Sequence, residues 1–420
     1  MIKLGYAQCD ITPTAPMTLV GFSRENEPFR GILKPLAAQA AVFEDENGRK
    51  AALITIDSLG FMKVLSDSLR DRIAALLGAN RSHVMICFSH THSAPNAADS
   101  GTGYYDMVCR NILAAVREAA DRMADVRIGC ANADAELGVN RRGADRDLDG
   151  RIGICTICEP SSDKPTLLIL RVTAHCNSLK RDNYCVSPDY FGDIRELVGN
   201  EYGCPVMVIQ GAAGNVAPKY YRSEIIPIDG AGEEYVRSDT ALSDMAQEVL
   251  MQIAAPLERI VPDENTELDV YSRELTLFSD VPDEETAERT VREADEYCGI
   301  DGTAWLGEVR RLRAEHIERQ SDVVEVQYFR LGKWCLCGVP YEIMNEFALR
   351  ASAALGDPYF YLNGYTNGCL SYFPTEEEFD EGGYEVYWSL LIYYAYFDRV
   401  FPFERASAGR LVDFVVEKNK

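Results

Sequence analysis

Apolar runs and amphipathic stretches alternate through the first half of the chain. AALITID (51–57) is a continuous apolar run of strand length, and residues 66–77 repeat their apolar positions with the 3.6 period of a helix that buries one face. HVMICFSH (83–90) reads as a second buried strand, followed by a helix over 104–123. TLLILRVTAH (166–175) is a further strand, SPDYFGDIRELVGNEYG opens a helix, and PVMVIQGAAGN runs from a strand into a glycine-rich loop. Strands and helices alternating at this spacing predict an α/β fold with mixed β-sheets flanked by helices.

The pattern changes between 278 and 322, which is acidic, helical in spacing and weak in apolar periodicity, and is expected to be a helical insertion or a hinge region. Paired strands (323–338), a helix (341–355), a strand (358–363) and a tyrosine-rich region (384–397) follow. There is no repeat, coiled coil or Pro/Gly/Ser linker, so one domain spanning 1–420 is expected. No apolar run reaches the roughly 18 residues that cross a bilayer.

Charge narrows the partners. Lys+Arg number 42 against Asp+Glu 66, a formal charge of −24, which repels phosphate backbones and anionic lipid surfaces. Nucleic acid and stable membrane association are set aside, and a small-molecule substrate remains. The start, MIKLGYAQCDITP, lacks the basic and then apolar regions of a secretory signal, so the expected location is the cytoplasm. Thirteen cysteines in such a chain are expected to be reduced, small hydrophobes. Cys155 and Cys158 have a redox spacing without the helix that should follow it, and Cys335 with Cys337 makes no convincing zinc half-site.

The five histidines are His83, His90, His92, His175 and His316. His83 starts a strand and His316 sits in a charged helical stretch, where surface roles suffice. His90 and His92 stand where the run VMICF ends and a small-residue loop begins. In extended backbone residues i and i+2 share a side, so both imidazoles are expected to reach one point beyond the strand's carboxyl end, where open α/β sheets bind ligands. His175 closes LLILRVTA in the same way. Two strands ending in histidine point to a metal site, since neutral imidazole is a common zinc donor.

Short collinear blocks resemble the catalytic N-terminal domain of the neutral (non-lysosomal) ceramidases. DITP resembles that family's DIT opening, FSHTHSAPN its THTHSGPGG, and VNRR (139–142) its NRSP. TAHCNSL and VSPDYFG resemble VHGTSM and ISGDNKG, and GAAGNVAPK (211–219) falls where the family has GDVSPN. GVPYEIMNEF resembles PGEFTT, while TNGCLSYFPTEEEF and the later GGYE resemble SNAYSGYVTTPEEY and YEGG. The resemblance implies a ceramidase-like fold and a Zn2+ ion held by His90, His175, Glu342 and Tyr372. It implies catalytic roles near the metal for His92, Arg141 and Tyr384, with Arg142 competing for the arginine's place, and substrate contacts from Ser93 and Asn215.

The chain departs from the family where it matters chemically. Ala217 stands at the GDVSPN serine and Asn215 at its aspartate. A methyl group neither attacks nor donates a hydrogen bond, whereas water activated by a metal needs no serine. With little chain after the motif blocks, the family's C-terminal immunoglobulin-like domain is not expected. The resulting expectation is a zinc amidohydrolase cleaving an amide or ester bond of a soluble small molecule. The alternatives are a ligand-binding relative without catalysis, and a true ceramidase (N-acylsphingosine amidohydrolase) working without the serine. Substrate identity, metal identity in the cell and oligomeric state are left open.

Overall fold

The computed structural model describes residues 1–97, 101–143, 145–225, 235–264, 266–397 and 399–418. In the strand Lys50–Ile56, Ala51 and Leu53 point to one side and Ala52, Ile54 and Ile56 to the other, and all five are buried. A strand buried on both faces must lie between two apolar layers.

The larger sheet takes eight strands: Ile2–Asp10 (β1), Ala37–Glu44 (β2), Lys50–Ile56 (β3), Val84–Phe88 (β4), Ala124–Asp134 (β5), Arg151–Cys158 (β6), Pro165–Val172 (β7) and Val206–Gln210 (β8). Their spatial order is β8-β7-β6-β5-β1-β2-β3-β4. Pairing is parallel at the two ends, β3 with β4 and β7 with β8, and antiparallel between. One face packs on the helices Lys63–Leu77 (α1), Tyr104–Asp121 (α2), Tyr190–Tyr202 (α3) and Ala241–Leu257 (α4), through Leu69, Ile73, Ile112, Val116, Ile194 and Val249 among others.

The opposite face packs on a second sheet of four strands, Leu268–Asp280 (β9), Arg319–Leu331 (β10), Trp334–Gly338 (β11) and Phe360–Asn363 (β12). Ile157, Ile169, Met207 and Leu53 meet Phe329, Trp334, Leu336 and Tyr361 there. The far side of the second sheet is covered by Asn345–Leu355 and Ser407–Lys418, through Phe347, Ala351, Leu411 and Val415. The α/β fold of mixed sheets flanked by helices is the one that the apolar runs predict.

Within 278–322, β9 and β10 keep their antiparallel register out to Asp280 opposite Arg319. The helices Glu284–Cys298 and Thr303–Ala314 join them and form a separate small core around Trp305, Ala287 and Val309. The helix expected from 341 begins only at Asn345. Glu342 and Ile343 pair in parallel with Tyr372 and Phe373 instead, and Glu342 N–H donates to Ser371 O at 2.9 Å. All thirteen cysteines are unpaired, and eight of them are buried. No helix among the described residues is long and apolar enough to cross a membrane.

The two edge strands of the larger sheet come round toward each other. Gln210, the last residue of β8, donates to Ala174 O at 2.7 Å just beyond β7 and to Ser89 O at 3.4 Å just beyond β4. The carboxyl ends of both parallel pairs therefore open onto one place.

Candidate metal centre and active site

His90 lies two residues past β4 with φ of +61°, a left-handed backbone rarely adopted outside glycine. Its N–H donates to Ser58 O at 2.9 Å, which continues the β3–β4 pairing past the strands and fixes the turn. The extended geometry expected for His90-Thr-His92 is thus absent. The imidazoles converge because this turn, rather than a period of two, aims them.

Three rings meet: the centroids of His90 and His92 are 5.1 Å apart, those of His90 and His175 4.7 Å, and those of His92 and His175 5.1 Å. His90 Nδ1 sits 2.6 Å from Leu59 O and His175 Nδ1 3.0 Å from Ala213 O. A carbonyl only accepts, so both Nδ1 atoms carry a proton, which leaves Nε2 of each ring as the nitrogen turned toward the cluster. His90 Nε2 faces Glu342 Oε2 at 3.0 Å, and His175 Nε2 lies 3.8 Å from the same oxygen. His175 Nε2 and both ring nitrogens of His92 are buried without a hydrogen-bond partner. Burial first, and then neighbouring positive charge including Arg141, pushes the His92 and His175 pKa values well below the ordinary imidazole value. Both rings stay neutral, the form that binds a metal.

Glu342 is fully buried, directly opposite Tyr372 in the short parallel pair. Its Oε2 accepts from Tyr365 OH and its Oε1 from Tyr393 OH, each at 3.5 Å. Cys369 Sγ lies 3.9 Å from Oε1 and 3.8 Å from His90 Nδ1. Two groups here place one donor atom per residue within 4.8 Å of the others: His90, His92 and His175, and His90, Glu342 and Cys369. The Tyr372 and Tyr384 rings are 5.9 Å apart, and burial, followed by the Glu342 charge, raises both phenols. Tyr384 opens a single π-helical turn, Tyr384–Trp388, of the kind enriched at functional sites.

The two arginines separate. Arg142 is held away by acidic neighbours, with Glu385 at 3.1 Å, Glu378 at 3.5 Å and the Gly382 carbonyl at 3.0 Å. Arg141 meets Glu385 at 3.4 Å, and its charge bears on His92, His175, Tyr372 and Tyr384. His90, His92, His175, Glu342, Tyr372, Tyr384 and Arg141 are therefore brought together.

The side chains of Ser93 and Asn215 are occupied elsewhere. Ser93 Oγ accepts from Asn183 at 2.9 Å. Asn215 donates to Glu346 at 2.8 Å and Glu378 at 3.2 Å and accepts from the Asn345 backbone at 3.0 Å. Ala217 is buried opposite Val139 in a short antiparallel pair. Tyr365, Tyr393 and Cys369 had no signal as site residues, since loop tyrosines and single cysteines are common packing residues. Only Cys369 lies inside a motif block.

A cavity of about 400 Å³ adjoins the cluster, walled by Phe22, Leu59, Asn96, Cys369, Tyr384 and Tyr393. A larger groove, about 930 Å³ and lined by Cys130, Asn132, Arg259 and Lys333, holds none of these residues. The convergent polar groups make the smaller cavity the candidate site.

No family model matches the chain. Over 219 residues it is 22% identical to neutral ceramidase B of Dictyostelium discoideum, a match covering 45% of this chain and 30% of that protein. Over 140 residues it is 26% identical to the neutral ceramidase of Drosophila melanogaster, covering 30% of this chain and 20% of the relative. The chain thus matches less than a third of either relative's length. A structure of a ceramidase complexed with C2 superposes with TM-score 0.71 at 18% identity, covering 99% of this chain and 74% of that one. The neutral ceramidase of Pseudomonas aeruginosa gives 0.70 at 20% identity with the same coverage.

Proposed function

We propose, for a chain that is neutral-ceramidase-like in fold and sequence, a metal-dependent hydrolase cleaving an amide or ester bond of a small molecule. The observation that carries this reading is the convergence of His90, His92 and His175 with three ring nitrogens buried and unpartnered. Each such atom costs about 1–3 kcal/mol, and a cation held by His175 Nε2 removes that cost there. Neutral imidazole and carboxylate are zinc donors. His90, His175, Glu342 and Tyr372 would hold Zn2+, with His92 beside it.

When bound, the ion supplies a Lewis acid for the scissile carbonyl and lowers the pKa of water toward about 7. The chain's own residues do the rest. The Leu59 and Ala213 carbonyls hold the His90 and His175 tautomers that present Nε2. Arg141 places a fixed positive charge at the cluster, and the protonated Tyr384 phenol opens on the cavity. Both stabilise negative charge as it grows on the acyl oxygen. The apolar wall of Phe22, Leu59 and Tyr393 buries the substrate and thins the water around it. The substrate contacts that the resemblance implies for Ser93 and Asn215 stay part of this reading, with both side chains also held by Asn183 and by Glu346. The unpaired cysteines support a reducing location, and the cytoplasm is part of this reading.

Ala217 favours a second reading, a ligand-binding protein that keeps the pocket without the chemistry. The deciding experiment measures metal content and turnover of purified protein beside His175→Ala, over a panel of amides and esters that includes ceramide. About one zinc per chain, lost in the variant together with turnover, is the expected result. Metal-free protein under replete conditions would sink the hydrolase. Bound metal and bound ligand with no turnover would give the second reading the lead.

A further inference from the structure

We propose that Cys369 supplies a sulfur donor to the metal centre, so that a His90–Glu342–Cys369 set takes a thiophilic divalent cation. The inference rests on the metal-centre reading above and adds to it a ligand and a metal preference.

Geometry carries it. In a tetrahedral site with nitrogen or oxygen about 2.0 Å and sulfur about 2.3 Å from the ion, neighbouring donors lie roughly 3.5 Å apart. Cys369 Sγ is 3.9 Å from Glu342 Oε1, which leaves a few tenths of an ångström to close, and His90, Glu342 and Cys369 each place a donor atom within 4.8 Å of the others. Glu342 divides its two oxygens between the partners: Oε2 faces the imidazoles of His90 and His175, and Oε1 faces the thiol. An ion on this carboxylate is reached by imidazole from one side and by sulfur from the other.

The sulfur is also held in place and accessible. Cys369 N–H donates to Phe61 O at 2.9 Å. Gly60, with φ of +142°, packs so tightly against it that a Cβ there would lie 2.2 Å from Cys369 Cβ. Cys369 lines the cavity, so an ion arrives from solvent without unfolding. Among the described residues, no other cysteine falls in a donor group with histidine or carboxylate. The quoted family block SNAYSGY has tyrosine where TNGCLSY has Cys369, so the thiol belongs to this chain rather than to the motif. On binding, the S–H bond breaks, an S–metal bond forms, and the proton leaves to solvent through the cavity. Sulfur directs the site toward Zn2+, Co2+ or Cd2+ and away from Mg2+ and Mn2+.

Cobalt tests this. Full-length protein stripped of metal and titrated with Co2+ is read by absorption beside Cys369→Ser. The expected wild-type spectrum has visible bands of bound Co2+ and a near-ultraviolet thiolate-to-cobalt charge-transfer band. In the variant the ultraviolet band is lost and the visible bands stay. Visible bands without the charge-transfer band, or a charge-transfer band that survives in the variant, overturn the sulfur donor and leave the histidine centre standing. No bound cobalt in the wild type overturns both. Should the serine variant not fold, cadmium NMR of the wild type decides: a resonance in the sulfur-ligated range supports the proposal, and one in the nitrogen/oxygen-only range overturns it.

Discussion

Replacing Glu378 by glutamine isolates one buried carboxyl group whose environment works against its charge. Glu378 is 2% exposed and accepts from Thr375 N–H at 2.9 Å and from the Asn215 amide at 3.2 Å, with Arg142 Nε 3.5 Å away. Burial, together with the charges of Glu346 and Glu385, outweighs those partners and raises it from the ordinary 4.5 to about 7. A folded-state pKa above the unfolded one means that the native chain holds the proton longer. Stability from this group is complete below about 4.5 and is lost as pH rises through about 7. At 1.36 kcal/mol per pKa unit the loss is roughly 3 kcal/mol. Glu378→Gln keeps an oxygen for the Thr375 N–H and removes the titration. Urea unfolding of both proteins at pH 5 and pH 8 should show the variant gaining up to about 3 kcal/mol on the wild type between the two. An identical difference at both pH values would refute the reasoning. The cluster also accounts for Asn215: an aspartate there would put a third carboxylate between Glu346 and Glu378 in place of the amide that donates to both.

Arg195 donates to both oxygens of the buried Asp57, at 2.9 and 2.6 Å. Arg195→Ala leaves that carboxylate uncompensated and should cost about 3–5 kcal/mol in urea unfolding, and a cost under about 1 kcal/mol would contradict the pairing. At Gly21, with φ of +97°, a Cβ would fall 2.5 Å from His92 Cγ. Gly21→Ala should therefore displace His92, lowering turnover and costing about 1–3 kcal/mol, and wild-type activity with wild-type stability would rule this out. Arg141→Lys should lower kcat/KM about a hundredfold, while Arg142→Lys, outside the cluster, should change it little. Equal losses would mean that the two arginines have been wrongly separated.

Much of the fold is local in origin and hence legible in the chain. VMICF and LLILRV are too short and too apolar to be surface helices, and the amphipathic stretches between them place helices on the sheet. The strand-end histidines could be picked out for the same reason, since a lone imidazole after an apolar strand is visible within a few residues. Tertiary structure alone decided how these pieces meet. The two edges of the larger sheet come round so that the loops after β4, β7 and β8 share one opening, with Gln210 tying the first to the second. Glu342 reaches the histidines because a two-residue strand replaces the start of the expected helix, a pairing set by Ser371 and Tyr372 far along the chain. Arg141 and Arg142 are adjacent and identical in type. Only the acidic residues around Gly382 sort one from the other. Periodicity reports which face of an element is buried. It carries no record of which distant element does the burying, and the site is made of such long-range meetings.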